Sequence, residues 1–240
     1  MFPYFVGAGI VLCICSVATC IFSIRRDANR RRIFVIYALI TALAAVAVRC
    51  FQQSYPDALG TGVFLKFSAS LPSVLFAFKG YRNCKTLFAL FILLAIILGM
   101  IADIVINISF AAGGLFFLVG HLLYDVAFIK EKRPSKRQLI LWLILTALMV
   151  IPLYIFRERI GSLLYGIGAL VYIAILISTV VFSYSLDRMI FAAAMIFAFS
   201  DCFMIVNILT DGALIMRILA LLVYYISLLL YGTALWKRSG

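Results

Sequence analysis

The sequence predicts an all-α, polytopic transmembrane helical bundle of about nine spans, each run long enough to cross ~30 Å of hydrocarbon as a helix. The balance of residue types is the first reason: 66% are hydrophobic and 12% charged, with a mean hydropathy of +1.19. Soluble domains are about a quarter charged, so this chain has too few charges to cover a water-facing surface. The second reason is that the apolar residues come in continuous runs of span length. A membrane β-barrel needs short strands alternating apolar and polar residues, and is excluded. Third, the basic residues gather in the short segments between runs and fall on one side of the membrane under that count.

Residues 4–24 form the first expected span. RRDANRRR follows it and nothing basic precedes it, so it reads as an uncleaved helix with its N-terminus outside rather than a signal peptide. The chain returns outward over 33–51, comes in over 61–78, goes out over 86–107 and comes in over 113–129. It then goes out over 139–156, in over 161–182, out over 189–209 and ends inside after 213–236. The third span is short and holds Lys66, so it reads as a full or a re-entrant helix. Clusters such as Lys130, Lys132, Arg133, Lys136 and Arg137 fall in the cytoplasmic loops, while the outer loops hold only Arg157 and Arg159, offset by Glu158, Asp57 and Asp211. This bias puts the C-terminus in the cytoplasm. No linker divides the chain, so 1–240 is expected to be a single integral membrane domain.

The formal charge of +12 lies in those loops, where it orients the protein and meets anionic lipid headgroups; no nucleic-acid partner is expected. Cys13, Cys15, Cys20, Cys50, Cys84 and Cys202 contain no CxxC pair. They read as small packing residues rather than a disulfide or zinc framework, and no metal is expected.

Asp103, His121, Tyr124, Asp125 and Asp201 lie inside apolar runs, where an ionisable group costs a few kcal/mol unless it is paired or lines an interior site. His121 and Asp125 share a helix face at i, i+4, with Tyr124 one position round, and Asp103 and Asn107 share a face by the same spacing. Ser200 precedes Asp201 near mid-span. Lys66, Asn107 and Arg217 fall nearer the outer ends. A pocket opening from the outer half towards the centre follows if these faces converge. Plainer readings stand beside this one. Lys66 and Arg217 snorkel to the interface, His121 bonds a backbone carbonyl in the core, or Asp125 neutralises Lys66 or Arg217. Tyr224 and Tyr225 read as packing aromatics, and Gly113, Gly114, Gly166 and Gly168 as close helix packing.

The order of Ala102-Asp103, GGLFFLVGHLLYDVAF, AAAMIFAFSD and ALIMRILALLVYYISLLL resembles the YhhN-type, lysoplasmalogenase-like membrane proteins. The likeness runs from Lys66 to Leu235 and is most specific from Gly114 to Phe128 and at Ser200-Asp201. The chain departs from the family pattern at Lys66-Phe67, where the family has Lys-Pro, at Ala102, where it has glycine, and around Ile226 to Leu228, where it has glutamine. Family members have about eight spans, so residues 1–32 look like an added helix and basic loop.

The resemblance implies hydrolysis of the vinyl ether bond of lysoplasmalogens to a fatty aldehyde and a glycerophospho-alcohol, with a lysophospholipid as substrate and no cofactor. It also implies a multi-pass protein of a bacterial inner or plasma membrane. The chemistry asks for one protonated carboxylic acid and one carboxylate. Asp103 and Asp201 are the expected pair, with either as the acid. His121 would orient one of them or relay a proton, and Tyr124 would hydrogen-bond the intermediate. Lys66 would hold the phosphate, with Asp125, Asn107, Ser200 and Arg217 also on the substrate side. Two other classes remain: a metal-dependent amide or ester lipid hydrolase, and a small-solute or proton-coupled transporter.

Overall fold

The computed structural model describes residues 59–155, 157–160, 162–210 and 214–238, with Ile36, Ile40 and Ala47 before them, each helical. The described elements are all helices: α1 (Leu59–Cys84), α2 (Leu87–Val105), α3 (Phe110–Glu131), α4 (Lys136–Leu148), α5 (Val150–Ile155), α6 (Arg157–Ile160), α7 (Leu163–Ser183), α8 (Arg188–Thr210) and α9 (Leu214–Arg238). Seven stretches among them are long and apolar enough to cross a membrane, with α4 and α5 counting as one. They match the seven expected spans from 61–78 onward. The expected spans at 4–24 and 33–51 lie outside the described residues, apart from the three single positions. At ~1.5 Å per residue the 26 residues of α1 exceed the ~30 Å of a hydrocarbon core, so this stretch is long enough for a full crossing.

Capping chemistry sets several helix starts. Thr86, Ser109, Ser135 and Ser162 each accept a hydrogen bond from a backbone N–H three residues on, closing the first turn of α2, α3, α4 and α7. Gln138 completes a capping box by reaching back to the Ser135 N–H at 2.9 Å. The helix of α4 and α5 breaks at Met149 because Pro152 lacks the N–H that would bond the Leu148 carbonyl.

Helix neighbours close a ring in the order α7, α3, α2, α1, α9, α8 and back to α7, with α9 also reaching α2 across it. No residue of α4 is buried. It leans on α7 from outside, held by Trp142 Nε1 donating to Ala174 O and Gln138 Nε2 to Val181 O, both at 2.8 Å. The interior of the ring mixes aliphatic side chains with stacked aromatics, Tyr124 on Tyr231 and Phe76 on Trp236.

Close backbone approach fixes the α1–α9 seam. A Cβ at Gly232 would stand 2.5 Å from the Ser73 carbonyl oxygen, and one at Gly80 would stand 2.7 Å from the Leu235 backbone. Gly113 is equally tight against Ile106, as expected of a packing glycine, whereas Gly114 and Gly168 face open space among the described residues and do not pack. Gly232→Ala is therefore expected to cost about 1–3 kcal/mol as the two helices part. Gly114→Ala should be neutral or slightly stabilising, since it only removes helix-interior glycine. Thermal unfolding in detergent compares the two, and equal melting temperatures would show that the seam is not tight.

Candidate functional site

The ring holds three aspartates whose surroundings differ. Asp103 belongs to the last turn of α2, where backbone carbonyls lose their intrahelical donors. Lys66 of α1 fills that gap: its Nζ donates to Asp103 Oδ1 at 2.9 Å and to Asp103 O at 3.0 Å. A cation at a helix C-terminus is also favoured by the helix dipole. Tyr225 Oη donates to the other carboxylate oxygen at 2.8 Å, and Asn107 Nδ2 donates to Asp103 O at 2.9 Å. With Lys66 2% and Asp103 4% exposed, this is a buried, hydrogen-bonded ion pair, the form in which a charge is tolerated away from water.

Asp201 of α8 is 4% exposed and has no Lys or Arg within ion-pair distance among the described residues. Tyr172 of α7 donates its hydroxyl to Asp201 Oδ2 at 2.5 Å, and His121 Nε2 of α3 stands 3.9 Å from the same oxygen. The imidazole is walled in by rings, edge-on to Phe197 at 4.6 Å and to Tyr172 at 5.9 Å between centroids. Neither ring nitrogen has a hydrogen-bond partner among the described residues. The expectation of a core histidine bonded to a carbonyl therefore does not hold. Phe117, Phe197 and Tyr224 pack edge to face beside this pair, and the Tyr224 hydroxyl donates to Gly99 O at 2.7 Å, one turn from Asp103.

Asp125 is the third carboxylate. Ser178 of α7 donates to its Oδ2, and Oδ1 has no partner among the described residues. The reading of Asp125 as a counter-charge for Lys66 or Arg217 is thus replaced, since Lys66 is held by Asp103. Tyr124 lies between His121 and Asp125 on α3, its ring 4.3 Å from that of Tyr231 and its hydroxyl also unpartnered among the described residues.

The remaining expected residues are placed as follows. Ser200 is buried and donates to Ala220 O at 2.8 Å, pinning α8 to α9 beside Asp201. Arg217 is exposed and its Nε reaches Asn207 Oδ1 at 3.5 Å, so it stands outside the buried cluster. Cys84 and Cys202 carry free thiols, and no three metal-binding side chains come together among the described residues. Tyr172, Ser178 and Tyr231 were not picked out by sequence, and Tyr225 read there as a packing aromatic. The available signal was that a phenol at mid-span needs a partner and a mid-span carboxylate needs donors.

Seven span-length apolar helices among the described residues, with buried carboxylates, an imidazole and phenols gathered inside their ring, define a polytopic membrane protein with an internal polar site. The chain matches the family model of the YhhN family over residues 61–233 and belongs to that family. No curated protein and no solved structure matches it.

Proposed function

We propose that the protein is a hydrolase of the vinyl ether bond of lysoplasmalogens, working by acid–base catalysis at Asp201 and His121. The observation that carries this reading is the buried Asp201 carboxyl, anchored by Tyr172 and facing an imidazole 3.9 Å away with no other partner among the described residues. An acid and a base side by side, with no Lys or Arg among the described residues paired to the carboxyl, are what the chemistry needs. In the proposed reaction the Asp201 proton goes to the β-carbon of the vinyl ether as the C=C electron pair forms the new C–H bond. Water then attacks the resulting oxocarbenium carbon and gives a proton to a His121 nitrogen. The hemiacetal collapses as His121 protonates the departing ether oxygen and Asp201 takes back the hydroxyl proton. Aldehyde and alcohol leave with both side chains restored.

In this scheme Asp103 is the fixed anion, held by Lys66 and Tyr225, that favours the cationic intermediate, and the Tyr124 hydroxyl is free to bond it. Lys66 gives two hydrogen bonds to Asp103, and Asn107 Nδ2 gives both of its own to the Asp103 and Ile104 carbonyls, so the phosphate falls to the exposed Arg217, near the end of the bundle where α2 and α8 finish. Asn207, which accepts from Arg217, stands six positions beyond Asp201 on α8, ~9 Å of helix, which suits the glycerol backbone linking a phosphate to a vinyl ether.

The test offers purified protein a panel of vinyl ether, alkyl ether and acyl lysolipids and follows free aldehyde. Only the vinyl ether lipid is expected to be cleaved. Fatty acid release from the acyl lipid would sink the reading, because an ester requires a nucleophile or activated hydroxide rather than protonation at carbon.

A further inference from the structure

Polar residues continue beyond Asp201 along one side of α3. Asp125 lies four residues past His121, ~6 Å nearer the end of the bundle where α3 finishes. That end carries the Arg238–Glu131 pair. Five side-chain atoms along this stretch, His121 Nδ1 and Nε2, Tyr124 Oη, Asp125 Oδ1 and Tyr231 Oη, are buried with no hydrogen-bond partner among the described residues. The four residues are between 1% and 7% exposed. Elsewhere in the bundle Ser70, Ser200, Ser227 and Thr233 each donate to a carbonyl, and among the described residues the hydroxyl of Thr146, on α4 outside the ring, is the one further buried hydroxyl without a partner. Native proteins rarely leave such atoms unpaired, so a concentration of them in one place points to a ligand.

The donor set says which ligand. Two phenols donate and accept, a neutral imidazole does both, and a carboxylate oxygen accepts. An anion would meet the Asp125 carboxylate, and among the described residues no third metal-binding side chain joins His121 and Asp125. Water satisfies donors and acceptors alike, and it is the usual occupant of buried polar sites of this kind. A hydrolase consumes one water per turnover, and apolar helices deny water a direct route to Asp201.

We propose that Tyr124, Asp125, Ser178 and Tyr231 hold a column of water molecules that feeds the hydrolytic water to His121 from the end of the bundle where α3 finishes. This rests on the hydrolase reading of Asp201 and His121. Asp125 is then a positioning residue, oriented by Ser178 so that its second oxygen holds a water.

Radiolytic hydroxyl-radical labelling of the purified protein, read by mass spectrometry, tests the column without reference to activity, because radicals form from water at the labelled side chain. Tyr124 and Tyr231 are expected to be oxidised, and the buried stack of Phe76 on Trp236 to stay unlabelled. Tyr231→Phe keeps the shape and the stack on Tyr124. It should abolish labelling at Tyr124 and lower kcat by about tenfold with KM unchanged, the order one neutral hydrogen bond supplies. Unlabelled Tyr124 and Tyr231 would overturn the proposal. So would a Tyr231→Phe protein with higher thermal stability and unaltered kcat, which would show an idle hydroxyl. Labelling at both tyrosines in a protein that releases no aldehyde from any lysolipid would support the hydrated column and overturn the hydrolase reading instead.

Discussion

Asp201→Asn is expected to lower turnover of a lysoplasmalogen by at least ~100-fold, the lower end of what general acid catalysis supplies. The amide has the size of the carboxyl, and its oxygen still accepts the Tyr172 hydroxyl that reaches Asp201 Oδ2 at 2.5 Å. What it loses is a proton acidic enough to be given to carbon. Because no Lys or Arg among the described residues pairs with Asp201, the substitution strands no cation. The melting temperature should therefore stay close to that of the unaltered protein, or rise as an ionisable group leaves the bundle interior. Turnover and thermal unfolding are both needed. Near-normal turnover would make Asp201 a structural partner of Tyr172, and loss of turnover only through loss of fold would have the same meaning.

The fold was legible wherever one physical quantity decides it. Continuous apolar runs found all seven described spans, because a span must be apolar along its whole length. Their starts were less well placed. α4 begins at Lys136 and α8 at Arg188, both outside the apolar runs, since long basic side chains at helix ends reach the interface and need not interrupt the helix. The cap residues Ser109, Ser135 and Ser162 carried the better signal for α3, α4 and α7.

The site was legible as a set of residues and not as pairings. A carboxylate in an apolar run announces itself, and Asp103, Asp125 and Asp201 are all buried. Which donor each one meets depends on how helices far apart in sequence align. Lys66 and Asp103 are 37 residues apart and Tyr225 and Asp103 are 122 apart, and no local period encodes either meeting. Tyr225 read as a packing aromatic because its ring is one; its hydroxyl does the other work. Lys66 read as a phosphate ligand because its partner, the end of α2, becomes visible only when the helix is seen to stop at Val105.

That pairing sets the largest stability effect expected in the chain. Lys66→Met removes the ammonium from both Asp103 Oδ1 and Asp103 O, leaving a buried carboxylate with only the Tyr225 hydroxyl. Removing one partner of a buried ion pair costs about 3–5 kcal/mol, mostly through the charge left behind. Exchanging both partners for apolar side chains of similar size is often neutral, because the desolvation of both charges disappears with them. The double variant Lys66→Met, Asp103→Leu should therefore recover much of the melting temperature. What stays lost is the hydrogen bond from the Tyr225 hydroxyl to the carboxylate, about 1.5–3 kcal/mol for a bond to a charged group. Activity should not return with stability, since Asp103 is also the proposed anion of the site. The opposite pattern, with Lys66→Met folded as well as the unaltered protein and only KM raised, would mean that the ammonium serves the substrate phosphate and not α2. Thermal unfolding of the two single variants and the double, with turnover measured on the same samples, separates these outcomes.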